Sequence, residues 1–298
     1  MTDTVLPNDS GPPTRARYVV VAAICVAAFV AYMGRNCLGV ASKDVQSDLG
    51  IDIGQMAWVM SAFFWAYALA QVPAGWLAHR FGTRLALACY AAAWSVLCAG
   101  FYLVGGLWAL LALQAGFGLA QAGIFPCSAG MIRHWMPSTH WALSVGLMGG
   151  FMSIGGAVGS AITGYAIEGV STSWLTTPPV SWRWVFVGFS IPGFVFAAWF
   201  YSWYRNRPEL HPGVNQAERD LIRRSSPQES RAPAGAHWLL IAGQPAMLLL
   251  CGQQFCRAAG YIFFPTWFPE YLRQTRGVST GESGLLTALP LLAVVAGS

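Results

Sequence analysis

The chain has 298 residues, 55% of them hydrophobic and only 10% charged, with 14 Trp, 17 Phe and a mean hydropathy of +0.49. Soluble domains carry roughly 25% charged residues, so a water-soluble globule is excluded and bilayer thickness, about 20 apolar residues per helical span, becomes the useful ruler. The net charge of +5 comes from 17 Lys and Arg in short clusters between apolar blocks, without the basic run that tracks phosphates, so nucleic acid is excluded as a partner and membrane lipid is expected.

Residues 1–16 are polar and rich in Pro and Asp. The first apolar block, 17–40, is too long for the core of a cleaved signal peptide and predicts a retained spanning helix. Further blocks at 55–78, 84–104, 107–131, 142–167, 183–204, 245–271 and 282–298 predict seven full helices and an eighth clipped by the chain end. Residues 205–244 form a polar linker, with Arg205, Arg207, Arg219, Arg223, Arg224 and Arg231 among Pro, Ser and Glu. The expected organisation is a tail (1–16), a six-helix half (17–204), the linker (205–244) and part of a second half (245–298), in a fragment or a truncated reading frame.

Arginine placement predicts the orientation. One side collects Arg15, Arg17, Arg80, Arg84, Arg133 and the linker arginines, the other only Lys43, Arg183, Arg273 and Arg276. The positive-inside bias then makes the N-terminus and linker cytoplasmic, in a plasma (inner) membrane protein. Two cations, Arg35 and Arg257, fall well inside spans, whereas Glu168, Glu270 and Glu282 lie near helix ends. A buried arginine costs roughly 2.5 to 3.5 kcal/mol on insertion scales and should face a watery cavity or an anion.

The cysteines (Cys25, Cys37, Cys89, Cys98, Cys127, Cys251, Cys256) lie in or beside apolar blocks without metal spacing and are read as small packing residues. No metal or cofactor is expected. An intramembrane enzyme is not expected either, since Ser128 and Ser153 have no neighbouring base in a motif. Gly146-x-x-x-Gly150 and Gly155-x-x-x-Gly159 predict close helix packing, and Pro192 and Pro265 predict breaks in their helical ladders.

The turn Gly75-Trp-Leu-Ala-His-Arg80-Phe-Gly82-Thr-Arg84 resembles the cytoplasmic loop signature of the major facilitator superfamily at Gly75, Arg80, Gly82 and Arg84, with His79 where that family has Asp. Four further segments narrow the likeness to its anion:cation symporter branch, which includes sugar-acid carriers and the vesicular glutamate and sialic-acid carriers. They are Tyr32-Met-Gly-Arg35-Asn-Cys-Leu-Gly-Val-Ala41, 58–73, Trp182-Arg-Trp-Val-Phe186 and Thr266-Trp-Phe-Pro-Glu-Tyr-Leu272; Arg207-Pro-Glu-Leu-His-Pro212 with Asn215 and Glu218 adds to them. The resemblance implies an all-α polytopic major facilitator fold with a gating loop at Gly75, Arg80, Gly82 and Arg84. It implies a transporter of small organic anions (a sugar acid, hexuronate or dicarboxylate), secondary active or facilitative, working by alternating access. A non-transporting sensor or inactive fragment is the alternative.

Two guanidiniums, Arg35 and Arg257, can each grip a carboxylate through two hydrogen bonds. Tyr32, Tyr67 and Gln121 could meet a polyol through hydroxyl and amide groups. The resemblance places Asp, Arg and Glu where this chain has Gly34, Gln114 and Gln121, and an amide cannot exchange a proton. Weak proton coupling is the resulting expectation, with the coupling ion open.

Overall fold

The computed structural model describes residues 11–171, 176–225 and 243–296. Its helices are α1 (Ala16–Arg35), α2 (Cys37–Val40), α3 (Ser42–Leu49), α4 (Ile53–Phe81), α5 (Thr83–Gly100), α6 (Leu107–Gln121) and α7 (Ile124–Trp135). There follow α8 (Trp141–Glu168), α9 (Trp182–Trp203), α10 (Gln216–Ser225), α11 (Pro245–Thr266), α12 (Phe268–Arg276) and α13 (Thr280–Ala296). A short antiparallel pair, β1 (Val170–Ser171) and β2 (Thr176–Thr177), sits between α8 and α9, with Val170 opposite Thr177.

Among the described residues, six segments are long and apolar enough to cross a membrane: Ala16–Val40, Ile53–Phe81, Thr83–Leu103, Leu107–Trp135, Ser138–Glu168 and Trp182–Trp203. They match the first six expected spans. The seventh does not join them, because α11 carries Gln253, Gln254 and Arg257 in its middle. Three expected spans are interrupted, at Asn36, at Ala122–Gly123 and at Trp267. The last break has a simple cause: Pro269 has no N–H to offer the Pro265 carbonyl, and the helix stops between them.

The order of packing follows the small residues. A Cβ on Gly155 or Gly159 would collide with the backbone carbonyls of Phe29 or Met33, so α8 lies directly on the backbone of α1. On its other face, Gly164 backs onto the Thr280 carbonyl and Ser160 onto Gly284, which seats α13. Gly118 lets α6 approach the Phe63 carbonyl of α4, and α5 pairs with α9. Cys25, Cys37, Cys98 and Cys127 are buried in these seams, whereas Cys89, Cys251 and Cys256 are exposed. Pro192 lies inside α9 and Pro265 inside α11.

The start of the expected linker packs onto the preceding helices. Asn206 accepts from the Arg84 N–H at 2.8 Å, the Trp135 indole donates to the Arg205 carbonyl at 3.1 Å, and His211 is buried against Trp135 and Trp203. Burial, with help from Arg205, lowers the His211 pKa below its ordinary 6.5. In α10, Glu218 is fully buried and accepts from the Ala16 and Arg17 N–H groups at 3.2 and 3.1 Å, from Thr14 Oγ1 at 2.5 Å and from Arg17 Nη1 at 3.4 Å. A linker carboxylate therefore does for α1 what a local N-cap side chain usually does. Glu218→Ala is expected to cost roughly 1–3 kcal/mol, the range for stranding such donors, read as a lower Tm in detergent. An unchanged Tm would show that the tail is held by something else. Arg231 and the end of the expected linker lie outside the described residues.

Candidate functional site

A cavity of about 530 Å³ lies between α1, α4, α6, α8 and α11. Arg35 is its central cation. Its guanidinium sits 4.6 Å from the Tyr32 ring centroid, 4.4 Å from Phe63 and 4.5 Å from Tyr67, so three rings hold it in place. The placement follows from helical spacing: Tyr32 is one turn before Arg35, and Phe63 and Tyr67 are one turn apart on α4. Phe63 and Tyr67 stack at 5.8 Å. Arg35 Nε is buried with no hydrogen-bond partner, and among the described residues no carboxylate lines the cavity.

Arg257 lines the same cavity from α11. Its Nε donates to Gln254 Oε1 at 3.0 Å, and the side chain is otherwise exposed. Tyr261 follows one turn later on the same wall. The structure thus brings Arg35, Arg257, Tyr32 and Tyr67 to one space. Gln121 is elsewhere: it is fully buried, and its Nε2 donates to the Ala31 carbonyl at 3.0 Å in the seam between α6 and α1. The glutamine of α6 that does line the cavity is Gln114, two turns earlier. Gly34 does not line it either, since a Cβ there would meet Phe117 and Cys98 at 3.6 and 3.7 Å.

Asn36, Gln71, Ser153, Gln254 and Thr266 line the cavity without having been assigned to it from the sequence. The one readable signal was the spacing of Gln254 and Arg257, three apart on one helix face.

The end of the cavity toward Lys43 is closed. Gly39 backs directly onto the Pro265 carbonyl, at the helix break described above. Beyond it, the Ser42 hydroxyl donates to Glu270 Oε2 at 2.7 Å, and Arg273 Nη2 donates to the same Glu270 oxygen at 3.0 Å and to Ser42 at 3.2 Å. Asp44 stands 3.6 Å from Arg273 Nη1, and burial lifts its carboxyl above the ordinary 3.8 although Arg273 pulls the other way. Nearby, the Gly281 N–H at the start of α13 donates to Glu168, and Arg183 pairs with Asp48. Toward the other end α11 diverges: residues 243–260 are all exposed.

The loop residues lie at that opposite end. Gly82 has φ +85° and no room for a Cβ against Asn206; Arg84 donates to the Tyr201 carbonyl at 2.8 Å; Arg80 sits over Trp76 and Phe81; Gly75 abuts Pro126.

Six apolar spans, four of which line a cavity that holds Arg35 with no carboxylate among the described residues, mark an integral membrane protein. The chain belongs to the Major Facilitator Superfamily, whose model matches residues 24–298. It is 33% identical over 307 aligned positions to the D-galactonate transporter of Escherichia coli O6:H1, covering 98% of this chain and 67% of that protein. It is 31% identical to the "Probable galactarate/D-glucarate transporter GudP" of Bacillus subtilis, covering 97% and 64%. The chain therefore spans about two-thirds of the length of these relatives. Among solved structures, a D-xylose-proton symporter matches with a TM-score of 0.71 at 13% identity, over 94% of this chain and 66% of that one. A bacterial homologue of the lysosomal transporter Spinster, in its inward-facing and occupied conformation, matches at 0.68 and 19%, over 97% and 60%. These two likenesses concern the fold. The relatives' names are those of transporters rather than enzymes.

Proposed function

We propose that this chain binds small organic anions of the sugar-acid class and moves them across the plasma (inner) membrane by alternating access. In this reading residues 17–204 are the first six-helix half, 205–244 the linker, and α11 to α13 the beginning of the second half. The arginine asymmetry supports a cytoplasmic N-terminus and linker, which makes the closed Lys43 end external and the Gly75–Arg84 loop cytoplasmic. The names of the galactonate and galactarate/glucarate relatives support the substrate class.

The observation that carries the reading is Arg35, an aromatic-boxed guanidinium with an orphaned Nε in a cavity without carboxylates among the described residues. A carboxylate is the group that fits it, through Nε and a terminal nitrogen together. Arg257, on α11, supports a second anionic contact in the same cavity, as a dicarboxylate would require. Tyr32 and Tyr67 support Arg35 and can turn their hydroxyls to a polyol. Gln121 belongs to the helix seam rather than the ligand. The lack of a cavity carboxylate among the described residues also supports anion movement without a proton taken up at positions 34, 114 or 121.

Arg35→Ala should weaken D-galactonate binding to the purified protein by at least about tenfold, from the roughly 1.5–3 kcal/mol of a hydrogen bond to a charged group. Arg35→Lys should restore only part, because it keeps the charge and loses the planar fork. Full affinity in Arg35→Ala would overturn the assignment.

A further inference from the structure

Several buried side-chain atoms of the described residues have no hydrogen-bond partner, and three belong to residues that line the cavity: Arg35 Nε, Asn36 Nδ2 and Gln114 Oε1. Buried polar groups are normally paired, and here three orphaned atoms fall on residues around one space. Their chemistry differs. Arg35 and Asn36 offer N–H donors, whereas Gln114 Oε1 only accepts. A carboxylate has no hydrogen to give and cannot satisfy Gln114. A hydroxyl can accept from Asn36 and donate to Gln114.

Both amides are built into the wall. Asn36 is 2% exposed and occupies the break between α1 and α2, directly after Arg35. Its amide fills the place that a side chain on Gly156 would take, since a Cβ there would collide with Asn36 Nδ2. Gln114 is 6% exposed and stands one turn before Phe117, whose ring lies 5.9 Å from Phe63, one of the three rings around Arg35. Both residues line the cavity that Arg35 lines, Asn36 from the break after α1 and Gln114 from α6.

We propose that Asn36 and Gln114 are specificity-determining residues that read substrate hydroxyls, so that the site selects polyhydroxy acids over plain carboxylates of equal length. The proposal rests on Arg35 as the carboxylate anchor and adds the basis of choice between carboxylates. Water can meet the same two amides, but a plain alkyl chain displaces it without replacing its bonds, whereas a hydroxyl restores them. Sites built to hydrogen-bond a hydroxyl discriminate strongly against analogues that lack it.

The test titrates the purified full chain in detergent with D-galactonate and with hexanoate, its hydroxyl-free counterpart. The unmodified protein should bind D-galactonate at least about 30-fold more tightly. Asn36→Ala and Gln114→Met should each lower D-galactonate affinity about 5- to 20-fold while leaving hexanoate within about twofold, with melting temperature as the control for folding. Asn36→Ser, which keeps a donor, should retain most of the preference and stands in should the alanine variant fold poorly. An equal loss for both acids, or no loss for either, would overturn the hydroxyl reading and leave Arg35 untouched. Insensitivity of both acids to Arg35→Ala would instead overturn the anchor.

Discussion

Replacing Arg273 by methionine is expected to open the cavity on its Lys43 side. The Arg273 side chain is 4% exposed and is the cation shared by Glu270 and Asp44. Without it, Glu270 keeps its bonds from Ser42 and Gln274 but is left buried beside a second carboxylate with no positive partner. Breaking a buried pair in this way costs roughly 3–5 kcal/mol. Glu270 and Arg273 share α12, so the part of the cost that falls on the closed arrangement alone is carried by the Arg273 contacts to Ser42 and Asp44 of α3, before the second span. At about 1.4 kcal/mol per tenfold, the loss of these cross-helix contacts should move the equilibrium between closed and open by about tenfold or more. A cysteine in place of Thr266, a cavity-lining residue just inside the closure, should then react with a membrane-impermeant maleimide applied from the Lys43 side at a rate raised to match. Labelling at the same rate in Arg273→Met would show that the Gly39–Pro265 backbone contact seals this end by itself.

Gly159→Leu should abolish the folded protein. The offending atom is Cβ itself, which would fall on the Met33 carbonyl, so no rotamer relieves the clash and α8 must move off α1. Met33 is two residues from Arg35, so the same displacement pulls the guanidinium out of its aromatic box. Gly159→Ala brings the same Cβ without the bulk beyond it, so it forces the smaller displacement and should cost roughly 1–3 kcal/mol or more. Gly188→Leu in α9 should be close to neutral, because nothing lies within 4 Å of a Cβ at that position. Recovery of monodisperse protein by size exclusion in detergent separates the three variants. Normal recovery of Gly159→Leu would mean that the α1–α8 seam is looser than its backbone contact implies.

Hydropathy made the first six spans legible because a bilayer imposes one length and one polarity on every crossing segment. It could not show the breaks at Asn36, Ala122–Gly123 and Trp267, since averaging over a window hides a local loss of two or three hydrogen bonds. Arg35 was legible as a residue that faces a cavity because a charge in a span is costly elsewhere. Gln114 and Gln121 were not separable by the same reasoning. Seven residues apart, they share a helix face, and only the arrival of the Ala31 carbonyl at one of them decides which is structural. Phe63 left no trace at all, because an apolar residue in an apolar helix becomes part of a cation box only through its neighbour on another helix.

The cap that Glu218 supplies to α1 also has a meaning in time. The first helix emerges from the ribosome with its leading N–H groups unanswered, and the carboxylate that answers them is encoded 202 positions after Ala16. At about 5–20 residues per second, synthesis reaches it some 10–40 s later. Until then the tail, the first span and the helix ends beside them cannot lock together. Of the six spans, α1 is therefore among the last to be finished, and its completion reports that all six have been made.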